Sequence, residues 1–283
     1  MAANLIPGKE IATRIQEEVK QEVVELKRKG VIPKLVAVQV GENAASAVYV
    51  KAQARSCEKV GINYRLHQLP AETSENELIS TLQALNADST VTGIILQLPL
   101  PQGLDVRKIQ SFISPVKDVE GVNPTNMGWI VYGRPGLAPC TALAVRECLA
   151  YTGVKFYGKE VVMVGHSDIV GKPVALLLLD QFATTTVCHI GTGERGLLPD
   201  HVRRAEILIV AVGKAGLIKG EWVQEGAIVI DVGINRVGDK IVGDVEFEPA
   251  SQRASWITPV PGGVGSVTTA MLLANVVKAA ENL

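Results

Sequence analysis

Polar side chains recur at helical spacing in the segment SAVYVKAQ, near the N-terminus. Ser46, Tyr49 and Gln53 occupy positions i, i+3 and i+7, a spacing that places them on one face of an α-helix. A hydroxyl, a phenol and an amide can hold a polar ligand through hydrogen bonds, but an amide exchanges no proton near neutral pH. Lys51 lies two residues from Gln53, so its side chain points about 200° away around the helix. The pattern favours one wall of a binding site, with a solvated helix face as the alternative interpretation.

The glycine turn VGHSDIVGKP carries residues that suit a phosphate ligand. Gly165 allows a tight turn after a strand, and Ser167 with the amides that follow can face a pyrophosphate at a helix N-terminus. The spacing G-x-S-x-x-x-G departs from the dinucleotide pattern G-x-G-x-x-G, so a purely structural turn stays open. The next strand ends in CHIGTGER without an acid before Glu194, whereas NAD-specific domains usually place an acid there. Because His166 and Arg195 could offer positive charge to a 2′-phosphate, the sequence favours NADP, with NAD as the alternative.

Short apolar runs alternate with helical patterns along most of the chain. Such alternation predicts an α/β fold with largely parallel sheets. Residues 111–141 are rich in Pro, Gly and Asn, which predicts an irregular segment that is functional and marks a boundary. Strands are predicted within 33–41, 64–70, 91–101, the start of 159–179, 184–191, 205–213 and 226–235. Helices are predicted over 8–30 and 266–283, after the glycine at 41 to about Val60, and after Gly171. Two more are predicted, one from a Ser74–Glu77 capping box to about Leu85 and one that begins at about Thr141.

Composition limits the function classes. A chain of 283 residues, 47% hydrophobic and 20% charged, suits two globular domains. The net charge of −1 provides no field that would attract nucleic acid or an anionic membrane. No apolar run reaches the length of a membrane span, and no signal peptide is visible, so a cytoplasmic protein is expected. The four cysteines and four histidines lack metal-ligand spacing, so buried thiols and no metal site are expected.

Several strings occur in one characteristic order, namely SAVYV, CEKVGI, GIILQLPLP, KDVEGVNPTNMG, GHSDIVGKP, GAIVIDVGIN, VGDVEF and ITPVPGGVG. Nearly the whole chain therefore resembles the methylenetetrahydrofolate dehydrogenase/methenyltetrahydrofolate cyclohydrolase family of bifunctional FolD-type enzymes. The resemblance implies two α/β domains around a cleft: a folate-binding catalytic domain at 1–140 with parallel strands and a Rossmann-type NAD(P)-binding domain at 141–265. It also implies a C-terminal helix, 266–283, that returns to the N-terminal domain. A homodimer, a tetrahydrofolate one-carbon substrate and NADP complete the expectation.

The resemblance also implies site residues. The catalytic positions are Tyr49, Gln53 and Gln97. The substrate-binding positions are Ser46, Tyr49, Gln97, Leu98, Glu120, Pro261, Gly262 and Gly263. The cofactor-binding positions are Gly165, His166, Ser167, Ile169, Val170, Gly171, Pro173, His189, Ile190, Val212, Gly213, Gly233, Ile234 and Thr268.

Several positions depart from the family pattern. Gln53 stands where the family has a lysine that serves the hydrolytic step, and Glu120 replaces an aspartate that holds the pterin ring. Ala142 and Ser266 replace prolines, so the folate side as a whole differs, which argues against an isolated laboratory substitution at position 53. On the cofactor side, His166 replaces a frequent arginine and Ile190 a serine.

The change at position 53 affects the two reactions differently. Hydride transfer depends mainly on positioning, whereas hydrolysis of the methenyl group requires proton transfer. We therefore expect a dehydrogenase whose cyclohydrolase activity is weak or lost. A fully bifunctional enzyme, a catalytically retired folate- or nucleotide-binding paralogue, and a dehydrogenase for another small carbonyl substrate are the alternatives.

Overall fold

The computed structural model describes residues 2–42 and 44–282, with the main chain alone for 44–48. The prediction for the Ser46 side chain lies outside these described parts. The strands are Asn4–Leu5 (β1), Lys34–Val40 (β2), Asn63–Leu69 (β3), Gly93–Leu96 (β4), Glu160–Val164 (β5), Thr184–Cys188 (β6), Ile207–Val210 (β7), Ile228–Asp231 (β8), Asn235–Val237 (β9), Lys240–Val242 (β10) and Trp256–Ile257 (β11). The helices are Gly8–Arg28 (α1), Ala44–Val60 (α2), Glu75–Ala87 (α3), Val106–Gln110 (α4), Pro124–Val131 (α5), Cys140–Tyr151 (α6), Gly171–Leu179 (α7), Ile190–Glu194 (α8), Leu198–Arg203 (α9), Phe247–Ser251 (α10) and Val264–Ala280 (α11), with a 3₁₀ turn at Gly220–Trp222.

The chain divides into two compact units, one of which comprises residues 1–12 and 141–268. Its sheet has the strand order β1-β11-β8-β7-β5-β6, and each neighbouring pair is parallel. Strands β7 and β8 are fully buried, as expected for parallel strands covered on both faces. The chain runs from β5 outwards to β6 and then back to β7 on the other side of β5. This reversal of strand order creates a crevice at the carboxyl ends of β5 and β7, where doubly wound folds bind ligands.

The other unit comprises residues 13–140 and 269–283. Its parallel sheet has the order β3-β2-β4, and a bridge between Ile94 and Asp118 continues it beyond β4. Leu78 and Leu82 of α3 pack into the core beneath this sheet. The predicted Ser74–Glu77 capping box at the start of α3 is confirmed, since each residue's side chain accepts a hydrogen bond from the other's backbone N–H.

The predicted α/β fold class with parallel sheets is confirmed. The helix predicted over 8–30 is α1, and its apolar residues at helical spacing are all buried, namely Ile11, Ile15, Val19, Val23 and Leu26. All four cysteines are free and buried. No helix in the described part of the chain is long and apolar enough to cross a membrane.

Two expectations from the sequence were wrong in detail. The strand predicted over 91–101 ends at Leu96, because the prolines at 99 and 101 cannot donate to a sheet ladder. The segment 111–141 is not wholly irregular, since it contains α5, capped by the Asn123 side chain with Pro124 in its first turn. Residues 1–12 belong to the compact unit of the six-stranded sheet, since β1 pairs in parallel with β11, and the predicted domain bounds stay a prediction.

Candidate active site

Two amide side chains meet in the unit that contains β2, β3 and β4. Gln53 lies on α2 and Gln97 directly follows β4, where the Gln97 backbone N–H donates to the carbonyl oxygen of Val38. The Nε2 of Gln97, a side chain that is 7% exposed, donates to the Oε1 of Gln53 at 2.8 Å. The Tyr64 hydroxyl makes a longer contact of 3.5 Å to the same oxygen. The Gln53 carbonyl oxygen is thus occupied, and its amide nitrogen is the group left to contact a ligand.

Tyr49 lies one turn before Gln53 on α2, and its phenol ring is 64% exposed. Lys51 and Arg55, which flank Gln53 at two residues on either side, are both exposed to solvent. Burial and the nearby Cys57 thiol raise the pKa of Tyr64 to about 12. Burial likewise raises the pKa of Cys57 to about 12, so neither group that packs near Gln53 exchanges a proton near neutral pH.

Glu120 lies beside the carboxyl end of β4, the strand that Gln97 follows. Because Asp118 is bridged to Ile94, Glu120 comes level with Leu96, whose backbone N–H interacts with its carboxylate. The Oε2 atom of Glu120 is buried and has no hydrogen-bond partner among the described residues. Burial above all, and then the charge of Asp118, raise the pKa of Glu120 from 4.5 to about 8. A buried acceptor without a partner is the arrangement expected of a ligand-binding group.

Asp118 and Asn275 hold the segment that carries Glu120. The Asp118 carboxylate accepts hydrogen bonds from the backbone N–H of Asn123 at 2.7 Å and from Asn126 Nδ2 at 2.9 Å. On α11, Asn275 Nδ2 donates to the carbonyl oxygens of Val119 and Ala138 at 2.8 and 3.0 Å. These contacts fix the backbone on both sides of Glu120. Sequence reasoning singled out neither Asp118, whose partners lie within the same irregular segment, nor Asn275, whose partners lie more than 130 residues away in the chain.

A cavity of about 850 Å³ lies at the strand-order reversal of the six-stranded sheet. Gly165 lines this cavity. Only glycine fits there, because its φ is 120° and a Cβ would lie 2.3 Å from the carbonyl oxygen of Ala211. The predicted residues that line it are Gly165, His166, Ser167, His189, Ile190 and Val212. The lining residues that sequence reasoning missed include Lys214, Leu198, Pro199, Leu217 and Trp222. No local motif marks them, because they come from the start of α9, from the loop after β7 and from the 3₁₀ turn.

The cavity combines an apolar wall with basic side chains. The rings of His166 and His189 stand edge to face at 5.4 Å, both histidines are exposed, and Lys214 lies on the same cavity. Arg195, which the sequence suggested as a source of positive charge, is not among the lining residues, whereas Glu194 is. Ser167 Oγ accepts from the backbone N–H groups of Val170 and Gly171 at 3.2 and 3.4 Å, and so caps α7.

The other predicted cofactor positions lie outside the cavity lining. Val170, Gly171 and Pro173 are buried at the start of α7, and Ile169 is exposed in the preceding loop. Gly213 adopts a φ of 73° directly after Val212, Gly233 packs against Asp244, and Ile234 is 58% exposed. Thr268 donates its hydroxyl to the carbonyl oxygen of Val264 within α11.

The predicted substrate loops are turns, in which Leu98 and Pro261 are exposed and Gly263 is buried. Leu98 is 46% exposed and precedes a cis peptide bond to Pro99. Pro261 follows a second cis bond, and Gly262 adopts a φ of 104°. Gly263 is a close-contact position, since a Cβ there would lie 2.6 Å from the carbonyl oxygen of Pro259.

Comparison with known proteins decides the family. Residues 6–120 match the tetrahydrofolate dehydrogenase/cyclohydrolase catalytic domain, and residues 139–283 match the NAD(P)-binding domain of the same family. The chain belongs to this family. It is 51% identical over 280 residues to "Bifunctional protein FolD 2" of Geobacter metallireducens, covering 99% of this chain and 97% of that one.

Solved structures of family members agree closely. The FolD methylenetetrahydrofolate dehydrogenase/cyclohydrolase of Campylobacter jejuni is 44% identical, with a TM-score of 0.96 and 99% of each chain covered. The FolD of Trypanosoma brucei, complexed with NADP cofactor and inhibitor, is 39% identical, with a TM-score of 0.94 and coverage of 100% of this chain and 98% of that one. The resemblance expected from the sequence is confirmed. Among the described residues, no group of three or more His, Cys, Asp or Glu side chains could hold a metal ion.

Proposed function

We propose that the chain is an NADP-linked 5,10-methylenetetrahydrofolate dehydrogenase whose methenyltetrahydrofolate cyclohydrolase activity is weak or absent. The observation that carries the proposal is the Gln97–Gln53 hydrogen bond of 2.8 Å. This hydrogen bond occupies the side-chain oxygen of Gln53, the residue at the position where the family has a lysine. Family membership supports the dehydrogenase, and the chemistry of Gln53 argues against the second activity.

The cavity of the six-stranded sheet suits a dinucleotide. Its apolar wall, which includes Leu198, Leu217 and Trp222, can contact a flat heteroaromatic ring, and Lys214 and the histidine pair can attract phosphate. When bound, the oxidised nicotinamide accepts a hydride from the one-carbon bridge between N5 and N10 of the folate. The folate nitrogens stabilise the resulting cation, so the protein's task in this step is to orient the substrate.

In the other unit, Glu120, Gln97 and Tyr49 are proposed to orient the folate. The unpartnered Oε2 of Glu120 suits the N–H donors of a pterin ring. Because burial raises the pKa of Glu120 to about 8, the free protein carries it largely protonated at pH 7, and the acid can also donate. The Gln53 amide nitrogen can hold a substrate oxygen, while Tyr49 remains exposed one turn away.

Hydrolysis of the methenyl group needs more than orientation. Water must lose a proton as it adds to the one-carbon unit, and the departing nitrogen must gain one. Loss of a positioned acid or base typically lowers a rate by about 10²–10⁴-fold. An amide cannot supply that group.

A two-wavelength assay that follows nicotinamide reduction and methenyltetrahydrofolate together tests the proposal. We expect methenyl product to accumulate in step with reduced cofactor, and preformed methenyltetrahydrofolate to hydrolyse at its spontaneous rate. Gln53→Lys should raise hydrolysis by about 10²–10⁴-fold, whereas Lys51→Gln, on the exposed side of the same helix, should change neither rate. Hydrolysis by the unaltered chain at a rate that Gln53→Lys does not exceed would show full bifunctionality. A flat nicotinamide signal at saturating substrate would instead indicate a retired paralogue.

The proposal also includes the cofactor preference, the oligomeric state and the cellular location of the protein. NADP is proposed because no acid precedes Glu194 after β6 and because basic side chains line the cavity. The test is kcat/KM for both cofactors, and a more than tenfold preference for NAD would overturn it. The domain roles expected from the sequence, a homodimer, a cytoplasmic location and the absence of nucleic-acid or membrane partners are proposed too. Light scattering tests the dimer.

A further inference from the structure

Two buried aspartates lie beside the loops at the carboxyl ends of β7 and β8. Asp231 is the last residue of β8 and is 4% exposed, and Asp244 follows the β9–β10 hairpin and is fully buried. Burying a carboxylate is costly unless hydrogen-bond donors surround it. The donors that surround these two are chiefly backbone amides of the neighbouring loops.

Asp244 binds three successive backbone N–H groups. Its Oδ2 accepts from Val212 at 2.7 Å and Gly213 at 2.9 Å, and its Oδ1 accepts from Lys214 at 2.8 Å. Asn235 Nδ2 adds a fourth bond to Oδ1 at 2.8 Å. Three consecutive amides that point at one anion form a backbone nest of the kind that otherwise binds phosphate. Here the protein's own carboxylate fills the nest and fixes the loop from within.

Asp231 supports Asp244 in turn. Its Oδ1 accepts from the backbone N–H groups of Gly233 at 2.9 Å and Asp244 at 3.0 Å, and its Oδ2 accepts from Val245 at 2.9 Å. Each carboxylate also packs on a glycine. A Cβ on Gly233 would lie 2.2 Å from Asp244 Cγ, and a Cβ on Gly243 would lie 1.9 Å from Asp231 Oδ2.

The loop that Asp244 fixes forms part of the cofactor cavity. Val212 and Lys214 line that cavity, and Gly213 between them adopts a φ of 73°. Since the Lys214 backbone N–H donates to Asp244, the carboxylate fixes the position of the Lys214 main chain. The main-chain position in turn determines where the Lys214 ammonium group can contact an anionic ligand.

We propose that Asp244 is a positioning residue for the dinucleotide, acting through the 212–214 loop and the Lys214 ammonium group. The inference rests on the proposed function for the choice of ligand. Asp244 contributes to binding of the cofactor and leaves the chemistry of the folate unit unchanged.

Asp244→Asn tests the proposal, because an amide offers one acceptor oxygen and turns an NH₂ group toward backbone donors. Losing charged hydrogen bonds of this kind corresponds to about a 10–100-fold change in affinity. We therefore expect the Kd for NADPH, measured by direct calorimetry, to rise by that factor. The folate KM and the kcat at saturating cofactor should stay within about threefold. Asp239→Asn, in the exposed turn of the β9–β10 hairpin, is the matched control and should leave the Kd unchanged.

A double-mutant cycle with Lys214→Met separates positioning from general destabilisation. If Asp244 acts through Lys214, the two substitutions together should weaken NADPH binding less than the product of their separate effects. Should Asp244→Asn fail to fold, Asn235→Ala removes the side-chain donor to the same carboxylate and should raise the Kd in the same direction. An unchanged Kd, multiplicative effects, or an equal loss of folate and cofactor function would overturn the proposal. Tight NADPH binding without substrate oxidation would refute the proposed function and leave this inference standing.

Discussion

Replacing Glu120 with glutamine should change how stability depends on pH. Burial raises the pKa of Glu120 from 4.5 to about 8 in the folded chain, so the folded state holds a proton that the unfolded state releases above pH 4.5. A carboxyl group with a raised folded pKa stabilises the protein fully below its unfolded pKa. That contribution is lost as the pH rises toward the folded pKa.

The size of this effect on the free energy of unfolding follows from the pKa shift of Glu120. One pKa unit corresponds to about 1.36 kcal/mol, so a rise from 4.5 to about 8 corresponds to at most about 5 kcal/mol between those pH values. Water entry and local relaxation lower such penalties, and we expect about 2–5 kcal/mol in the free energy of unfolding. In Glu120→Gln the side chain is neutral at every pH, so this part of the pH dependence should disappear.

Denaturant unfolding at pH 5.5, 7 and 8.5 measures the effect. Trp129 lies in the same unit as Glu120, whereas Trp222 and Trp256 lie in the other. A Trp222→Phe/Trp256→Phe background therefore reports the relevant unit by fluorescence. Glu72→Gln, at an exposed position, is the matched control and should keep the parent's profile. Parallel stability profiles for the Glu120→Gln and parent chains, within about 0.5 kcal/mol, would refute the assignment of a buried, protonated Glu120.

Three further substitutions test other parts of the structure. His166→Arg puts a permanent cation on the cavity, and the ratio of kcat/KM for NADP to that for NAD should rise about tenfold, the lower end for one hydrogen bond to a charged group; an unchanged ratio would place the 2′-phosphate elsewhere. Asn275→Ala removes the amide donor from the carbonyl oxygens of Val119 and Ala138, leaves Val119 only the weak Cys140 thiol at 3.3 Å, and should lower the free energy of unfolding by about 1–3 kcal/mol, measured by denaturant titration. Gly121→Ala should cost more, because Gly121 has a φ of 72° and a Cβ would lie 2.1 Å from the Ala138 carbonyl carbon; a loss below about 1 kcal/mol would contradict that close packing.

The sequence predicted local elements better than distant contacts. The capping box before α3 and the glycine turn after β5 are signals contained within a few residues. The helix α5 was missed although Asn123 and Pro124 form an N-cap followed by an N1 proline, because Gly128 and the flanking prolines suggested a loop. The strand predicted within 91–101 is shorter than its apolar residues suggest, since only Gly93–Leu96 pairs with β2.

In the candidate site, too, the sequence predicted individual residues better than the contacts between them. Gln53 and Gln97 could be named from the resemblance, but that they bond to each other depends on how α2 packs beside β4. Trp222 and Lys214 line the 850 Å³ cavity only because separate segments converge at the carboxyl ends of β5, β6 and β7. Asp244 carried a usable signal, an acid between apolar residues in VGDVEF, although nothing in that string indicates that its partners are the amides of 212–214.

The groups near Gln53 define what a surviving cyclohydrolase would need. The pKa values of Tyr64 and Cys57 are both raised to about 12, and Gln97 is an amide, so none of these three side chains supplies a base at pH 7. Glu120 differs, because its pKa of about 8 lies in the working range of a general acid or base, and it interacts with Leu96, the residue before Gln97. If the chain does hydrolyse methenyltetrahydrofolate, the rate should therefore follow an ionisation near pH 8, and Glu120→Gln should abolish that pH dependence. A pH-independent rate that survives Glu120→Gln would mean that the folate's own nitrogens and solvent carry the protons.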